Sequence, residues 1–330
     1  MTLKNLAELC GTSVSTVSKV FLGNPEISES TRRKVTEVAK ELGCYEKYYK
    51  GPLERPVIAL LFPETESEFY GREIDILERE IRKRGADTVV ALTRFDPETE
   101  ARLFSELVYR MKVDGVILSG VGHLIKNPDQ IPLVTFYSYD AKLSDLNSDI
   151  FAVDFKSGID QAVALIKSYG HKKIGFIGDK YTSKKMELLQ SSLRAHGLPV
   201  YKNMMVKASS RFAKAGEEGL KKILEGTEKP DVIVSAYDRI AFGAIRAAID
   251  LGIDVPGEIS FVGMDDISAN DYIEVPLTSI HIHMEDVSKN MVDLLFKRIE
   301  NRHYRESREI IIPSSVILRK SLCDKNSKNS

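Results

Sequence analysis

The sequence is poor in the features that mark secreted, membrane-spanning and metal-binding proteins. Its three cysteines are an odd number and have no metal-ligand spacing, which predicts free thiols in a reducing compartment rather than disulfides. No apolar run approaches the roughly 18 residues that a membrane span needs, and the first residues contain no signal-peptide core. We therefore expect a cytoplasmic protein.

Signatures of several enzyme classes are also missing. The sequence has no phosphate-binding P-loop, no His-Glu-x-x-His zinc motif and no Gly-x-Ser-x-Gly nucleophile motif. A partial glycine motif after Ser119 lacks its third glycine, and Pro128 excludes the helix whose N-terminus would bind a pyrophosphate. His281 and His283 would share one strand face, but no third metal ligand stands near them in the sequence. The sequence therefore predicts no catalysis, no cofactor and no metal.

The chain carries little net charge. The 47 Lys and Arg residues against 48 Asp and Glu give −1 at pH 7, which does not suit a protein that coats nucleic acid indiscriminately. Residues 1–50 hold eight Lys and Arg against six Asp and Glu, a difference of +2. Any non-specific affinity of this segment for DNA should be modest and sensitive to salt.

Three short amphipathic segments follow one another within residues 1–43. Their apolar spacing predicts three helices, which begin after the capping residues Thr2, Ser13 and Ser28. The second helix is expected over 14–22 and the third over 29–42. A helix, a tight glycine-containing turn and a second short helix form the helix-turn-helix arrangement, whose second helix enters the DNA major groove. A small three-helix bundle used for protein contacts is the alternative.

The second helix has a polar face that suits the reading of bases. Its apolar side is expected to be buried and consists of Val17, Val20 and Phe21. The outward set consists of Val14, Ser15, Thr16, Ser18 and Lys19. Serine and threonine can meet base edges or phosphates, valine can touch a thymine methyl group, and lysine can reach phosphate or guanine.

The same segment resembles the DNA-binding head of the lactose/galactose repressor (LacI/GalR) family. The resemblance rests on the runs Thr2-Leu-Lys-Asn-Leu-Ala, Gly11-Thr-Ser-Val-Ser-Thr-Val-Ser-Lys-Val-Phe and Ile27-Ser-Glu-Ser-Thr-Arg-Arg-Lys-Val. It implies that Val14, Ser15 and Thr16 read bases. It also implies that backbone phosphates are held by Ser13, Ser18, Lys19, Ser28 and Thr31, and we count Thr2 with this DNA-facing set. Leu22 stands where the family usually has Asn, so that contact is not carried over.

The linker expected over 45–56 departs from the family pattern. In the family this linker is longer, and its Ala-Arg-x-Leu motif folds on DNA into a helix whose leucine wedges into the minor groove. That motif is absent, and Leu53 is the only apolar residue at the expected place. Pro56 excludes Arg55 from the helical region, so a normal hinge helix is not expected. Tyrosines of this segment could stack on DNA or, as the favoured alternative, pack against the body: Tyr45, Tyr48 and Tyr49.

From residue 57 onward strands alternate with helices, which predicts an α/β fold with parallel sheets covered on both faces. Two such series imply two lobes with a ligand cleft at the carboxyl ends of their strands. Runs such as Val113-Asp-Gly-Val-Ile-Leu and Glu258-Ile-Ser-Phe-Val-Gly-Met-Asp-Asp also resemble the family. The resemblance implies a periplasmic-binding-protein-like, doubly wound body of two lobes, 57–153 with 284–314 and 154–283 with 315–330. The tail from 324 onward is polar and is expected to be disordered.

The resemblance carries over an effector site only in part. In the family an aspartate after the Val-Gly strand contacts ligand hydroxyls, and Asp265 matches it; the alternative is that it caps the following turn. Lys185 stands where the family usually has arginine, and Tyr237 where it has asparagine, so the recognition of ligand should differ. Phe69 and Tyr70 match an aromatic pair that packs on ligand, although they could equally be core aromatics.

These features together predict a transcription regulator, a repressor, that binds double-stranded DNA as a homodimer on a pseudo-palindromic operator. A sugar or related metabolite between the lobes would modulate this binding. One alternative is a cytoplasmic solute-binding module whose head contacts proteins and selects no DNA sequence. Another is a sugar-processing enzyme, which would show turnover.

Overall fold

A computed structural model describes residues 1–21, 24, 26–48, 55–120, 124–127, 130–137, 148–301 and 306–329. Two compact units emerge: the head, Met1–Pro56 with Gly85–Asp87, and the body, Val57–Arg84 with Thr88–Ser330. Some sequence-based expectations concern residues outside the described ranges, namely those on Leu22, Tyr49, Leu53 and Pro128.

The described residues of the head form four helices, and three of them are the predicted ones. They are α1 (Leu3–Cys10), α2 (Val14–Phe21), α3 (Glu29–Glu41) and the short α4 (Tyr45–Tyr48). The first three begin as the capping residues predict. The Thr2 hydroxyl accepts from the Asn5 amide at 3.2 Å, Ser13 from Thr16 at 3.0 Å, and Ser28 from Thr31 at 3.3 Å.

The core of the head is formed by the apolar faces of these helices. Leu6, Val17 and Val35 are completely buried, one from each long helix. The ring of Phe21 lies 6.2 Å from that of Tyr45 and 5.8 Å from that of Tyr48. The two tyrosines therefore pack within the head, a contact that neither sequence-based alternative included.

The described strands form one eleven-stranded sheet in the order β2-β1-β3-β4-β5-β11-β10-β9-β8-β6-β7. These strands are β1 (Val57–Phe62), β2 (Asp87–Leu92), β3 (Gly115–Ser119), β4 (Leu133–Tyr137), β5 (Asp149–Asp154), β6 (Ile174–Gly178), β7 (Met205–Lys207), β8 (Val232–Ser235), β9 (Ser260–Asp265), β10 (Thr278–Ile282) and β11 (Glu309–Ile317). Their order confirms the predicted α/β class with a sheet dominated by parallel pairs.

Strand β11 connects the two halves of this sheet. It pairs in parallel with β5 from Glu309 to Pro313 and antiparallel with β10 from Ser314 to Ile317. Pro313 has no amide hydrogen, and it stands at the point where the hydrogen-bond ladder changes partner.

Seven helices cover the described part of the sheet. They are α5 (Glu68–Lys83), α6 (Pro97–Ser105), α7 (Phe155–Ser168), α8 (Ser183–Ala195), α9 (Phe212–Leu224), α10 (Asp238–Asp250) and α11 (Met284–Glu300). Helices α9 and α10 approach closely because small residues face each other. A Cβ atom at Gly243 would overlap the carbonyl oxygen of Ala213, and one at Gly216 would overlap that of Ile240.

Two expectations about the later part of the chain are wrong. His283 precedes α11 as its cap residue and does not lie on the strand of His281. The tail is ordered as a 3-10 turn over Lys325–Asn329. The ammonium group of Lys325 lies 2.6 Å from a carboxylate oxygen of Asp231. This ion pair was not visible in the local composition, which is why the tail was expected to be disordered.

Glu73 is an exception to the apolar core of the body. It lies on the inward face of α5, is completely buried, and neither carboxylate oxygen has a hydrogen-bond partner among the described residues. Burial raises the pKa of this carboxyl group well above its usual value. Burial therefore favours the neutral form of Glu73 in the folded protein.

We expect Glu73→Gln to remove part of the pH dependence of stability. The unfolded chain ionises Glu73 above a pKa of about 4.3, whereas burial raises its pKa in the folded chain, so the wild-type free energy of unfolding falls as pH rises between the two values. Glutamine does not titrate and keeps the shape. Urea unfolding at about pH 5 and about pH 8 measures the difference. The exposed Glu98→Gln serves as control, and equal pH slopes in the two variants would contradict the assignment.

Candidate DNA-binding and ligand-binding sites

The face of α2 that was predicted to read DNA lies at the surface of the head. Val14 is 44% exposed. Ser15 and Lys19 are exposed as well, while Thr16 and Ser18 are half-buried. The opposite side, Val17, Val20 and Phe21, is buried as expected. The helix therefore presents hydroxyl groups, one apolar contact and one cation outward, which is the chemistry that base edges and phosphates accept.

Hydrogen bonds at the ends of α2 hold this face in place. The hydroxyls of Ser13 and Thr16 lie 2.8 Å apart. The ammonium group of Lys19 forms an exposed ion pair with Glu26 at 3.1 Å, which screens its charge. The Arg32 guanidinium donates to the Asn24 carbonyl at 2.7 Å. The sequence did not predict this role of Arg32, because only the fold brings α3 close to Asn24, three residues beyond the end of α2.

The body contains a cavity of about 130 Å³ at the carboxyl ends of several strands. Strand β1 ends shortly before Glu64, β6 before Asp179, β8 before Tyr237, and β9 at Asp265. This edge of a parallel sheet is where α/β proteins place their ligands. The lining consists of Glu64, Ser67, Phe69, Tyr70, Phe95, Phe155, Tyr181, Thr182, Lys185, Arg211, Tyr237 and Asp265. All five residues predicted to bind effector are among them.

Asp265 is the carboxylate at the centre of the predicted ligand contacts. Its backbone has a φ of 100°, which L-residues rarely adopt and which is often found at functional sites. The Lys185 ammonium group lies 3.4 Å from its Oδ1 and donates to the Ala236 carbonyl at 2.8 Å. Burial raises the pKa of Asp265, and Lys185 opposes that shift. A carboxylate has about four acceptor positions, so Asp265 can accept further bonds from ligand hydroxyls.

The neighbouring carboxylates are occupied in holding the loop after β9. Asp238 is buried and accepts from the Ile267 amide at 2.9 Å and from the Ser279 hydroxyl at 2.6 Å. Asp266 accepts from the Arg319 guanidinium at 2.7 Å and lies 2.8 Å from a ring nitrogen of His281. These bonds position Asp265 at the rim of the cavity without involving its own side chain.

The hydroxyl of Tyr237 bridges two other parts of the body. Its hydroxyl donates to Asp179 at 2.5 Å and accepts from the Phe212 amide at 3.2 Å. Burial and the bond to Asp179 raise the pKa of this phenol, so it stays a neutral donor. Tyr237 therefore connects the loop after β6 to the start of α9.

Phe69 and Tyr70 pack on other aromatic rings beside the cavity. The Phe69 ring packs on Phe136 with a centroid distance of 6.1 Å, and the Tyr70 ring packs on Phe62 at 6.3 Å. Both side chains also line the cavity. They are core aromatics that present an apolar surface to the cavity, on which a sugar ring could stack.

Four residues that close this cavity have no recognisable signature in the sequence. Arg211 forms a bidentate ion pair with Glu64, at 2.6 Å and 2.8 Å. The rings of Phe95 and Tyr181 stack at 4.2 Å. Glu64 and Arg211 are 147 positions apart, so no local pattern could have joined them.

Within the described ranges, no group of three or more His, Cys, Asp or Glu side chains could hold a metal ion. The His281 and His283 rings contact each other at 4.6 Å without a third ligand in that part of the chain. No described helix is both long enough and apolar enough to cross a bilayer.

Comparison with known proteins matches the two units separately. Residues 2–45 match the bacterial regulatory proteins of the lacI family, and residues 163–322 match the periplasmic binding protein-like domain. The HTH-type transcriptional regulator DegA of Bacillus subtilis is 27% identical, covering 97% of this chain and 97% of the relative. The ribose operon repressor of Haemophilus influenzae is 27% identical over 97% of this chain and 98% of its own length.

The fold is also found among solved structures. The lac repressor dimer bound to operator and the anti-inducer ONPF superposes with a TM-score of 0.75 at 20% identity, covering 98% of this chain and 99% of that one. The two relatives are named a transcriptional regulator and an operon repressor.

Proposed function

Because the chain belongs to the LacI/GalR family of helix-turn-helix transcription regulators, we propose that it represses transcription from a pseudo-palindromic operator under the control of a small molecule. The observation that carries the proposal is the outward face of α2, in a head that matches the lacI family over residues 2–45. The second part of the proposal is that a sugar or related metabolite binds in the cavity of the body. Such a regulator acts on the chromosome, in the cytoplasm.

The DNA-binding part of the proposal assigns two kinds of contact to the head. Val14, Ser15 and Thr16 read base edges, because they occupy the exposed N-terminal turn of α2. The phosphate contacts come from Thr2, Ser13, Ser18, Lys19, Ser28 and Thr31, at the surfaces of the three helices. The proposed role of Leu53 lies outside the described residues.

We expect Ser15→Ala with Thr16→Ala to cost sequence preference rather than general affinity for DNA. Each lost base contact removes about 1–3 kcal/mol of discrimination, while the phosphate contacts and the salt dependence remain. Selection of genomic fragments by the purified protein, followed by titration on the selected and on random DNA, measures both effects. The matched control Thr36→Ala alters a half-buried hydroxyl of α3. Equal losses on both kinds of DNA would contradict the assignment, and no selection by the wild type would contradict DNA recognition itself.

The effector part of the proposal rests on the chemistry of the cavity. Asp265 supplies acceptors and Lys185 donors, while Phe69 and Tyr70 supply apolar ring surfaces. A sugar has hydroxyl groups at its edge and apolar C–H faces, which matches this combination. One of the relatives is named a ribose operon repressor, which supports the same class of ligand.

We expect Asp265→Asn to weaken the binding of the effector sugar about 10- to 100-fold, since a hydrogen bond to a charged group contributes roughly 1.5–3 kcal/mol. Affinity for operator DNA should be unchanged, because the side chain lies in the body. Titration calorimetry with D-ribose, D-glucose and D-galactose identifies the sugar and measures the loss. Asp75→Asn, an exposed carboxylate paired with Arg79, is the control. Unchanged affinity in Asp265→Asn would remove this residue from the site.

A homodimer follows from the symmetry of the operator, since two heads are needed for two half-sites. The body offers a groove of about 760 Å³ between α9 and α10. Its apolar lining includes Ala213, Phe242, Ala247 and Leu251, and its rim carries three cations and three carboxylates: Lys214, Lys221, Arg246, Glu217, Asp250 and Glu274. A surface with balanced charges around an apolar centre is complementary to a second copy of itself.

We expect Leu251→Glu to raise the dissociation constant of the dimer about tenfold or more, because it places a charge in the apolar centre. Leu251 is 55% exposed, so the monomer should fold normally. Sedimentation velocity over a range of concentrations measures the change, and operator affinity should fall with it. The control is Leu318→Glu, which alters another leucine that is 48% exposed. A dimer of unchanged stability would place the interface elsewhere.

A further inference from the structure

An ion pair joins the two halves of the body across the cavity. Glu64 follows β1, on one side of the shared strand β11, and Arg211 precedes α9, on the other side. The Nη1 and Nη2 atoms of Arg211 donate to the two carboxylate oxygens of Glu64, at 2.6 Å and 2.8 Å. The Glu64 side chain is 6% exposed and that of Arg211 is 25% exposed. A bidentate pair of this kind fixes both the distance and the angle between its partners.

Aromatic rings surround this ion pair. Phe95 and Tyr181 come from opposite halves of the body and stack nearly in parallel, at 4.2 Å and 22°. The Arg211 guanidinium lies 5.3 Å from the first ring and 5.1 Å from the second. Cation–π attraction adds to the ion pair, and the rings reduce its access to water. A second contact crosses in the same direction, from the Arg239 guanidinium to the Glu66 carbonyl at 2.9 Å.

Arg211 is also held from behind by its own half. Its Nε lies 3.3 Å from Asp179, which in turn accepts from the Tyr237 hydroxyl. The adjacent Phe212 has a φ of 56°, and Phe95 on the other side has a φ of 60°. Such values are uncommon for bulky L-residues and persist only where the surroundings hold them. Asp179 and the constrained backbone at Phe212 therefore hold the Arg211 guanidinium in the orientation that contacts Glu64.

We propose that the Arg211–Glu64 pair is a gate that holds the two halves of the body together at the cavity and limits the effector to about one sugar ring. The cavity has a volume of about 130 Å³. Pockets for drug-sized ligands begin at about 300 Å³. A ligand of two rings would have to displace the pair, and it would leave the buried Glu64 carboxylate without its partner. The size limit rests on the proposed effector role, whereas the closure does not.

Closure can be measured without any ligand, because the chain contains no tryptophan. Phe95→Trp places a single indole on the Tyr181 ring at a half-buried position that closing protects from solvent, whereas Tyr181 itself is 43% exposed. We expect low quenching by acrylamide when the pair is intact. Adding Glu64→Gln should shift the emission to the red and raise the quenching constant. Arg211→Lys keeps the charge without the planar fork and should give an intermediate value.

The matched control is Glu285→Gln, which breaks the exposed ion pair with Arg72 inside one half of the body. It should leave the emission unchanged. Circular dichroism confirms that each variant is folded. The gate is refuted if the indole is fully quenchable with the pair intact, or if Glu64→Gln behaves like Glu285→Gln.

The size limit is tested by calorimetry with D-ribose, D-glucose, D-galactose, cellobiose and maltose. We expect one of the single-ring sugars to bind when the pair is intact, and the two-ring sugars to bind only after Glu64→Gln. Equal binding of a two-ring sugar to the unaltered protein would overturn the limit. Failure of every sugar with every variant would refute the sugar proposal and the size limit together, while the tryptophan emission would still decide whether the gate exists.

Discussion

The shared strand β11 is the constraint on which the ligand cavity depends. Its first half continues the sheet of β5 and its second half that of β10, with Pro313 at the change of partner. Glu64, Asp179, Tyr237 and the other cavity residues follow strands on both sides of β11. Their carboxyl ends face one another only because a single backbone ladder joins the two halves. The contacts between Arg211 and Glu64 are a consequence of this arrangement.

Two kinds of buried polar group surround the cavity: those that form hydrogen bonds within the protein, and those that can still bind a ligand. The side chains of Asp238, Asp266 and Tyr237 form hydrogen bonds with other residues of the protein. Asp265 is held at the rim by this network but keeps acceptor capacity, although its backbone is strained. A site of this kind is preorganised, since the cost of positioning the carboxylate is borne by folding and not by ligand binding.

Local patterns predicted the head and the elements of the body well. Thr2, Ser13 and Ser28 begin the helices they were expected to begin, because a cap acts within three residues. The family resemblance led to Asp265, which lines the cavity. The pairing of Arg211 and Glu64 was not found, because the two residues are 147 positions apart and only the folded body brings them together. The ordered tail was missed for the same reason: Lys325 meets Asp231 only in the folded protein.

The position of β11 late in the chain has a consequence for synthesis. Residues 309–317 follow all the other described strands, and they belong to both halves of the sheet. While they are still inside the ribosome, β5 and β10 each have an unpaired edge, and such edges are prone to aggregate. The head, in contrast, has all four of its helices within the first 48 residues. In a nascent chain the head would thus be synthesised well before the sheet of the body can be completed.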